Sequence, residues 1–354
     1  MRWASLAAVP LALGCGGNSP AIAEGPPFEP DASVVDAALD AADEPEASPA
    51  PLDWSVVTAN ILADVVAVWG DATDVYVGSD MGTVYDVTSY GSSSSTFVSG
   101  IVGAGWATDS LHVYAVTASN WQAQAGQTSP GVLYQYGGDT TWDMLAAGPF
   151  YGVWGSSTTD IYAGGPAGVA HATDGRTFAL EGAAGMNVLG VGGSGAGDIY
   201  ATTSDPTATI LHSTGDGTWT PVFGQPAGTA WAVWSSGPGD AYVIVSPTAA
   251  GDPDAFVLHS SADGGWASES VGQPGSVLVT VWGSGPGDVY VGGWHPGTDG
   301  RAGDCFHSTG DGRWSRVELP GNLYDVTSIW GRSATDVYVG AYDVDDGPTL
   351  IHGQ

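Results

Sequence analysis

Beyond Leu52 the apolar residues come in short bursts. Segments rich in Val, Trp, Tyr and Phe are each cut off by Gly, Pro, Asp or Ser. Antiparallel strands joined by tight turns require that alternation. The stretch from Ser276 to Gly321 shows the unit most completely: VLVTVWG, the turn SGPGD, DVYVGG, a long loop, CFHST, the turn GDG and RWSRVEL. It predicts four short strands. Leu and Glu are scarce in it and lysine is absent from the whole chain, so little competes for helix.

The unit recurs. Aligned on the tryptophan of its first strand, seven positions appear: Trp69, Trp106, Trp154, Gly192, Trp234, Trp282 and Trp330, at an average interval of 43.5 residues. That period lies within the range of about 40–45 for a four-stranded propeller blade. A tyrosine follows eight residues later at Tyr114, Tyr162, Tyr200, Tyr242, Tyr290 and Tyr338, and seven later at Tyr76. Aspartate opens the second strand in six units, at Asp74, Asp160, Asp198, Asp240, Asp288 and Asp336; in the second unit Asp109 is displaced. In the outer half, His171, His212, His259 and His307 each precede an aromatic residue by seven positions, and Gln135 to Trp142 keeps the spacing. Constant spacing within each half and variable spacing between halves means rigid hairpins joined by loops of free length.

The seventh unit lacks a fourth strand, because TLIHGQ follows Tyr338 and the sequence stops. Leu52 to Asn60 supplies it: Trp54-Ser55-Val56-Val57 reads like Trp314-Ser315-Arg316-Val317. The prediction is an all-β, seven-bladed β-propeller of four-stranded antiparallel blades, its last blade closed by the N-terminal strand Leu52–Asn60. Closing the ring there leaves only short, protected edges.

The outer turns TDGRT, STGDGT, SADGG and STGDGR resemble the Asp-box of BNR-type propellers, and VWGSGPGDVYVGG resembles repeats of secreted bacterial propellers of the photosystem-assembly-factor-like kind. STGDGTW and STGDGRW place the aspartate one residue late, and SADGGW lacks the threonine. In that family the Asp-box is a structural turn, so the resemblance implies fold and not activity.

What precedes the repeats is of a different composition. MRWASLAAVPLALGC has one positive charge, a short apolar run and small residues before Cys15. It is too short to span a membrane and fits a secretory signal. LALGC resembles the lipobox of bacterial lipoproteins, which implies a signal peptide over residues 1–14, acylation of Cys15 and anchoring in the cell envelope; Gly16 resembles lipoproteins sent to the outer membrane. Residues 15–51 are Pro-, Ala- and acid-rich and cannot bury enough surface to fold, so they read as a tether to the propeller over residues 52–354.

A net charge of −32 excludes nucleic-acid and anionic-lipid binding by a basic surface. Only Cys15 and Cys305 are present, so no disulfide framework exists. Cys305 aligns with a strand position and reads as a buried thiol.

With strands running a to d outward, a–b and c–d turns share one face of the ring, and b–c loops and d–a crossings share the other. The long, non-repeating loops all fall on the second face, where function is usually grafted. The repeated histidines, one per blade, are too far apart to share an ion. The aspartates before Val-Tyr are expected to accept backbone N–H groups in the a–b turn. The first-strand tryptophans are expected in the blade-to-blade core. Trp121 and Trp294 stand outside the repeat and, with Tyr342, are candidate contacts, beside Asp252, Asp254, Asp299 and Asp304. Asp343, Asp345 and Asp346 in DVDDG form an oxygen-rich loop that suits Ca²⁺, without EF-hand spacing; no other cofactor is called for. The five arginines beyond the signal are spread over different turns and cannot converge on a carboxylate as a sialidase requires, and no GxSxG, P-loop or HExxH occurs. The function expected is a monomeric, non-catalytic scaffold binding an envelope or extracellular protein or glycan. The alternatives are a sialidase- or lyase-like glycan-processing enzyme and a Ca²⁺-dependent lectin-like module on the same fold.

Overall fold

In the computed structural model, the residues described are 51–57, 61–88, 91–96, 100–118, 131–137, 141–205, 209–224, 228–247, 254–261, 264–298 and 300–354. They form seven four-stranded antiparallel sheets. Blade 1 runs from strand a at Val65–Gly70 to strand d at Gly91–Thr96, and blade 2 from Ile101–Ala107 to Trp142–Ala147. Blades 3, 4 and 5 begin at Gly152, Val188 and Thr229. Blade 6 consists of Val277–Gly285, Asp288–Gly297, Gly300–Ser308 and Ser315–Arg316. Blade 7 takes Leu323–Ser333, Asp336–Asp343 and Gly347–Gly353 from the C-terminus and Trp54–Val56 from the N-terminal side. The seven-bladed ring predicted from the repeat is thus observed.

The closing strand is shorter than the predicted Leu52–Asn60. Trp54 pairs with Gly353, Ser55 with His352 and Val56 with Ile351. Backbone bonds between Asp53 and Gln354 and from the Val57 amide to the Leu350 carbonyl extend the zip by a residue at each end. Residues 58–60 lie outside those described.

Four blades carry a complete Trp–Tyr–His row across the sheet. Trp154, Tyr162 and His171 lie side by side on strands a, b and c, as do Trp234–Tyr242–His259, Trp282–Tyr290–His307 and Trp330–Tyr338–His352. In these four blades the histidine ring stacks on the tyrosine with centroids 3.9–4.4 Å apart. The strand-a tryptophan then reaches into the next blade and rests on the glycine that follows that blade's own tryptophan. A methyl group added at Gly331 would lie 2.7 Å from the Trp282 ring, one at Gly283 2.7 Å from Trp234, and one at Gly70 2.5 Å from Trp330. The repeated Trp-Gly pair is therefore a knob and its seat, and the last contact crosses the ring closure. Blade 4 departs in a coupled way. Gly192 replaces its tryptophan, because a side chain there would strike the Val233 carbonyl of blade 5 at 2.7 Å. With no knob arriving, blade 5 carries Ser235 at the seat that is glycine in blades 1, 3, 4, 6 and 7; in blade 2, where Ala107 occupies the seat, Trp69 rests on Gly105 instead.

The strand-b aspartates serve these rows, and their partners differ from the expected turn amides. Asp160, Asp198, Asp240, Asp288 and Asp336 each accept Nε2–H of the strand-c histidine in the same blade, at 2.6–2.9 Å. The other carboxylate oxygen accepts a serine hydroxyl four residues earlier in blades 3 to 6; in blade 7 Arg332 takes that place. Blade 2 has Gln135 in the histidine's position, and Arg176 reaches over from blade 3 to bind Gln135 Oε1 at 2.7 Å and Asp143 at 2.8 Å. The histidines are structural, as the repeat implied.

The outer strand adds a second link between blades. Trp219 and Trp266 meet the preceding blade's Tyr162 and Tyr200 edge-on, at 6.3 and 6.2 Å. Trp54 meets Tyr290 in the same way at 6.2 Å. The N-terminal strand thus fills the strand-d role in packing as well as in pairing.

Candidate functional site

On the b–c face, lined by the starts of the first strands of blades 7, 1 and 2 and by the blade-6 hairpin, lies a cavity of about 500 Å³. Strand a of blade 7 supplies Tyr324 and Asp325, and strand b supplies Tyr342. Asp64 enters from the crossing into blade 1, Asp80 from the b–c turn of blade 1, and Arg301 from strand c of blade 6. The size falls within the range of about 300–1,000 Å³ for ligand sites.

Local backbone features aim these groups. The pairing of strand a with strand b in blade 7 slips between Leu323 and Asp325, so that Leu323 faces Asp343 and Asp325 faces Tyr342. Tyr324 is the extra residue of this bulge. A bulge re-aims the side chain it frees, and Tyr324 lands edge-on to Tyr342 with ring centroids 6.4 Å apart. Gly303 brings the blade-6 hairpin close, since a methyl group there would lie 2.9 Å from Leu323 Cβ. The Trp294–Asp304 stretch, expected as a loop, is instead a continuation of that hairpin. Trp294 pairs with Gly303, His295 with Ala302 and Pro296 with Arg301. The pairing holds the Arg301 guanidinium 3.9 Å over Trp294 and 5.8 Å from Tyr324.

The electrostatics of the cavity are lopsided. Burial, and then the neighbouring Asp80, raises the pKa of Asp64. Burial also raises Asp325; Arg301 opposes this and Asp64 adds to it. Asp325 Oδ1 is sealed from solvent with no hydrogen-bond partner. The Asp64 amide donates to Asp80 Oδ1 at 3.1 Å, which fixes one carboxylate beside the other.

Of the residues singled out in sequence, the structure gathers Tyr342 and Trp294 here, the second through Arg301. Asp304 is only 1% exposed and is spent on His295 Nδ1 at 2.6 Å, so it does not present to solvent. Asp254 accepts the Gly275 amide at 3.1 Å and ties the b–c loop of blade 5 to the start of blade 6. In DVDDG, Asp343 is buried and accepts amides from Asn322, Asp345 and Asp346, while Asp345 accepts the Asn322 side chain. Among the described residues no group of three or more His, Cys, Asp or Glu side chains could hold a metal ion. Trp121, Asp252, Asp299 and Cys15 lie outside the described residues. Cys305 is 1% exposed, and burial pushes its thiol up to about 12, as an inert strand position requires.

Asp64, Asp80, Tyr324 and Asp325 were not singled out in sequence. A signal was present, since Tyr324-Asp325 sits just ahead of the repeating VTSIWG core with no counterpart in the unit at Ser276. That signal lies at the start of an inner strand, away from the long loops.

No family model matches the sequence, and no curated protein matches it. Solved structures do. The chain is similar to YCF48 bound to D1 peptide, at 13% identity and a TM-score of 0.59, over 86% of this chain and 98% of that one. It is similar to virginiamycin B lyase from Staphylococcus aureus, at 11% identity and a TM-score of 0.64, over 86% and 98%. It is also similar to PorZ, a bacterial surface component of the type-IX secretion system of Porphyromonas gingivalis, at 12% identity and a TM-score of 0.52, over 84% of this chain and 39% of that one. At such identities these likenesses establish one thing, the β-propeller fold.

Proposed function

We propose that the protein is a lipid-anchored, surface-displayed, non-catalytic scaffold that binds a protein or glycan partner through the b–c face of its propeller. The cavity lined by blades 7, 1, 2 and 6 carries this reading, being a concave site with two tyrosines, three carboxylates and one arginine on the face free of repeating turns. Two fold neighbours support it. YCF48 was solved with a bound peptide, and PorZ is described as a bacterial surface component. Export and anchoring rest on the signal-like N-terminus and Cys15.

A second reading, the glycan-processing enzyme, has its own observation. A carboxyl raised by burial at the wall of a cavity, such as Asp325, is what a general acid needs, and virginiamycin B lyase shows an enzyme on this fold.

The test uses the full-length protein on peptide and glycan arrays beside a Tyr324→Ala/Tyr342→Ala variant. A ligand of the wild type is expected to lose about ten-fold or more in affinity to the variant. Equal binding by both would overturn the choice of face, and turnover of any arrayed glycan would overturn the non-catalytic reading. In cells, the wild type is expected to take up a metabolic fatty-acid label and a Cys15→Ser variant to lose it; an unlabelled wild type removes the anchor, and a label retained by the variant removes Cys15 as its site.

A further inference from the structure

The rim of the cavity narrows the kind of partner, given the scaffold reading on which this rests. Leu62 stands 87% exposed in the crossing into blade 1, Met81 72% in the b–c turn of that blade, and Val344 53% in the b–c turn of blade 7. Leu62 stands two positions before Asp64, Met81 directly after Asp80 and Val344 two after Tyr342, so each neighbours a lining residue in the chain. The lining residues Tyr324 and Tyr342 are themselves 36% exposed. The other large exposed apolar side chains among the described residues are scattered over outer strands and one a–b turn: Val56, Leu111, Met144, Leu180 and Val222. Clustered apolar exposure marks an interaction site, whereas scattered exposure does not.

Beside these exposed apolar side chains the cavity is acidic. Asp64, Asp80 and Asp325 face a single cation, Arg301, which lies over Trp294. The arginine salt bridges among the described residues are those of Arg176, Arg316 and Arg332. Arg301 therefore leaves the carboxylates unneutralised at ion-pair distance, and Asp325 Oδ1 has no donor. We infer that this mouth docks a protein segment presenting a lysine or arginine side chain flanked by apolar residues, the charged end in the cavity and the flanks on Leu62, Met81 and Val344. A neutral sugar would stack on the tyrosines and leave the acids as crowded as before. A free amine would leave those apolar side chains uncovered. The net charge of −32 draws a basic segment from a distance and speeds its arrival.

Random dodecapeptides displayed on phage and selected on the full-length protein test the inference, followed by titration of the best synthetic peptide. The expected selection is a basic residue between apolar ones. Replacing that residue by norleucine, which keeps the stem and drops the charge, is expected to weaken binding about ten-fold or more, as is Asp64→Asn/Asp325→Asn in the protein. Asp→Asn relieves crowded like charges, so that variant stays folded, with its melting temperature as the control. Leu62→Ser/Met81→Ser is expected to weaken binding several-fold. Arg301→Gln is expected to tighten it, because a competing cation is removed; weaker binding there would identify an anionic ligand and overturn the inference. Selected peptides that lack a basic residue, yet lose binding to Tyr324→Ala/Tyr342→Ala, would overturn this inference and leave the scaffold reading standing. If neither peptide nor glycan depends on that face, both fall.

Discussion

One carbon atom decides whether two blades can close on each other. At Gly331 a methyl group would press on the Trp282 ring at 2.7 Å, with no flexible end to yield. Gly331→Ala is expected to cost about 1–3 kcal/mol as overpacking. Gly285→Ala, in an a–b turn of blade 6 with nothing within 4 Å, is expected to cost little. Denaturant titration of both checks the pair.

The Asp–His rows give stability a pH window. Histidine hydrogen bonds hold Asp198 and Asp336 below the ordinary carboxylate pKa despite their burial, aided by Ser194 at the first and preceded by Arg332 at the second. Their contribution is present above about pH 4 and lost as pH falls through the lowered folded values. Burial alone would lower His259, but Glu269 and Asp240 on its two nitrogens raise it. Its contribution is present below about pH 6.5 and lost as pH rises through the raised folded value. Melting temperature against pH is expected to fall on both sides, with the alkaline fall reduced in His259→Gln. Recurrence in nearly every blade marks these residues as structural, but composition alone pairs the aspartates with turn amides. Their histidine partners lie 11 to 19 residues away across a b–c loop of variable length, so only the observed strand register pairs them.

Among the elements, the closing strand tests the ring best. Its three paired residues make a thin zip, and Trp54 adds to it by packing on Tyr290 of the neighbouring blade. Trp54→Ala is expected to destabilise by about 2–4 kcal/mol, below the full range for a buried tryptophan because one side is open. Its unfolding rate is expected to rise more than its folding rate falls, since an end-to-end contact forms late; stopped-flow measurements separate the two. Strand identity was legible because alternation, turn residues and a fixed period all agreed. The blade-6 hairpin was not legible as strand: WHPGTDGRAGD is full of turn formers, and only pairing with the facing segment shows that Trp294 to Gly303 continues the ladder.

For the whole molecule, the repeat made the architecture readable and the site nearly unreadable. Seven similar units average out to one fold, whereas the cavity draws its lining from four different blades, chiefly blades 7 and 1. Asp64 and Asp325 are 261 positions apart in the chain and adjoin only because the ring closes. Departures from the repeat single out Trp294 and Tyr342, of which Tyr342 lines the cavity and Trp294 lies under Arg301. They do not single out the acids, since one more aspartate carries no signal in a chain with 38 acidic residues.

The direction of the closing strand also sets how the propeller would bear load. Strand c of blade 7 starts at the b–c face and ends at Gly353 on the opposite face, where Trp54 pairs with it. The chain therefore enters the ring on the side away from the cavity. A partner held at the mouth and a pull on residue 51 act at opposite ends of the same short ladder. Its bonds from Asp53 to Val57 then share the strain in parallel, as in a lap joint, and do not open one after another like a peeled seam. Tension applied at residue 51 is therefore carried across the ladder in shear.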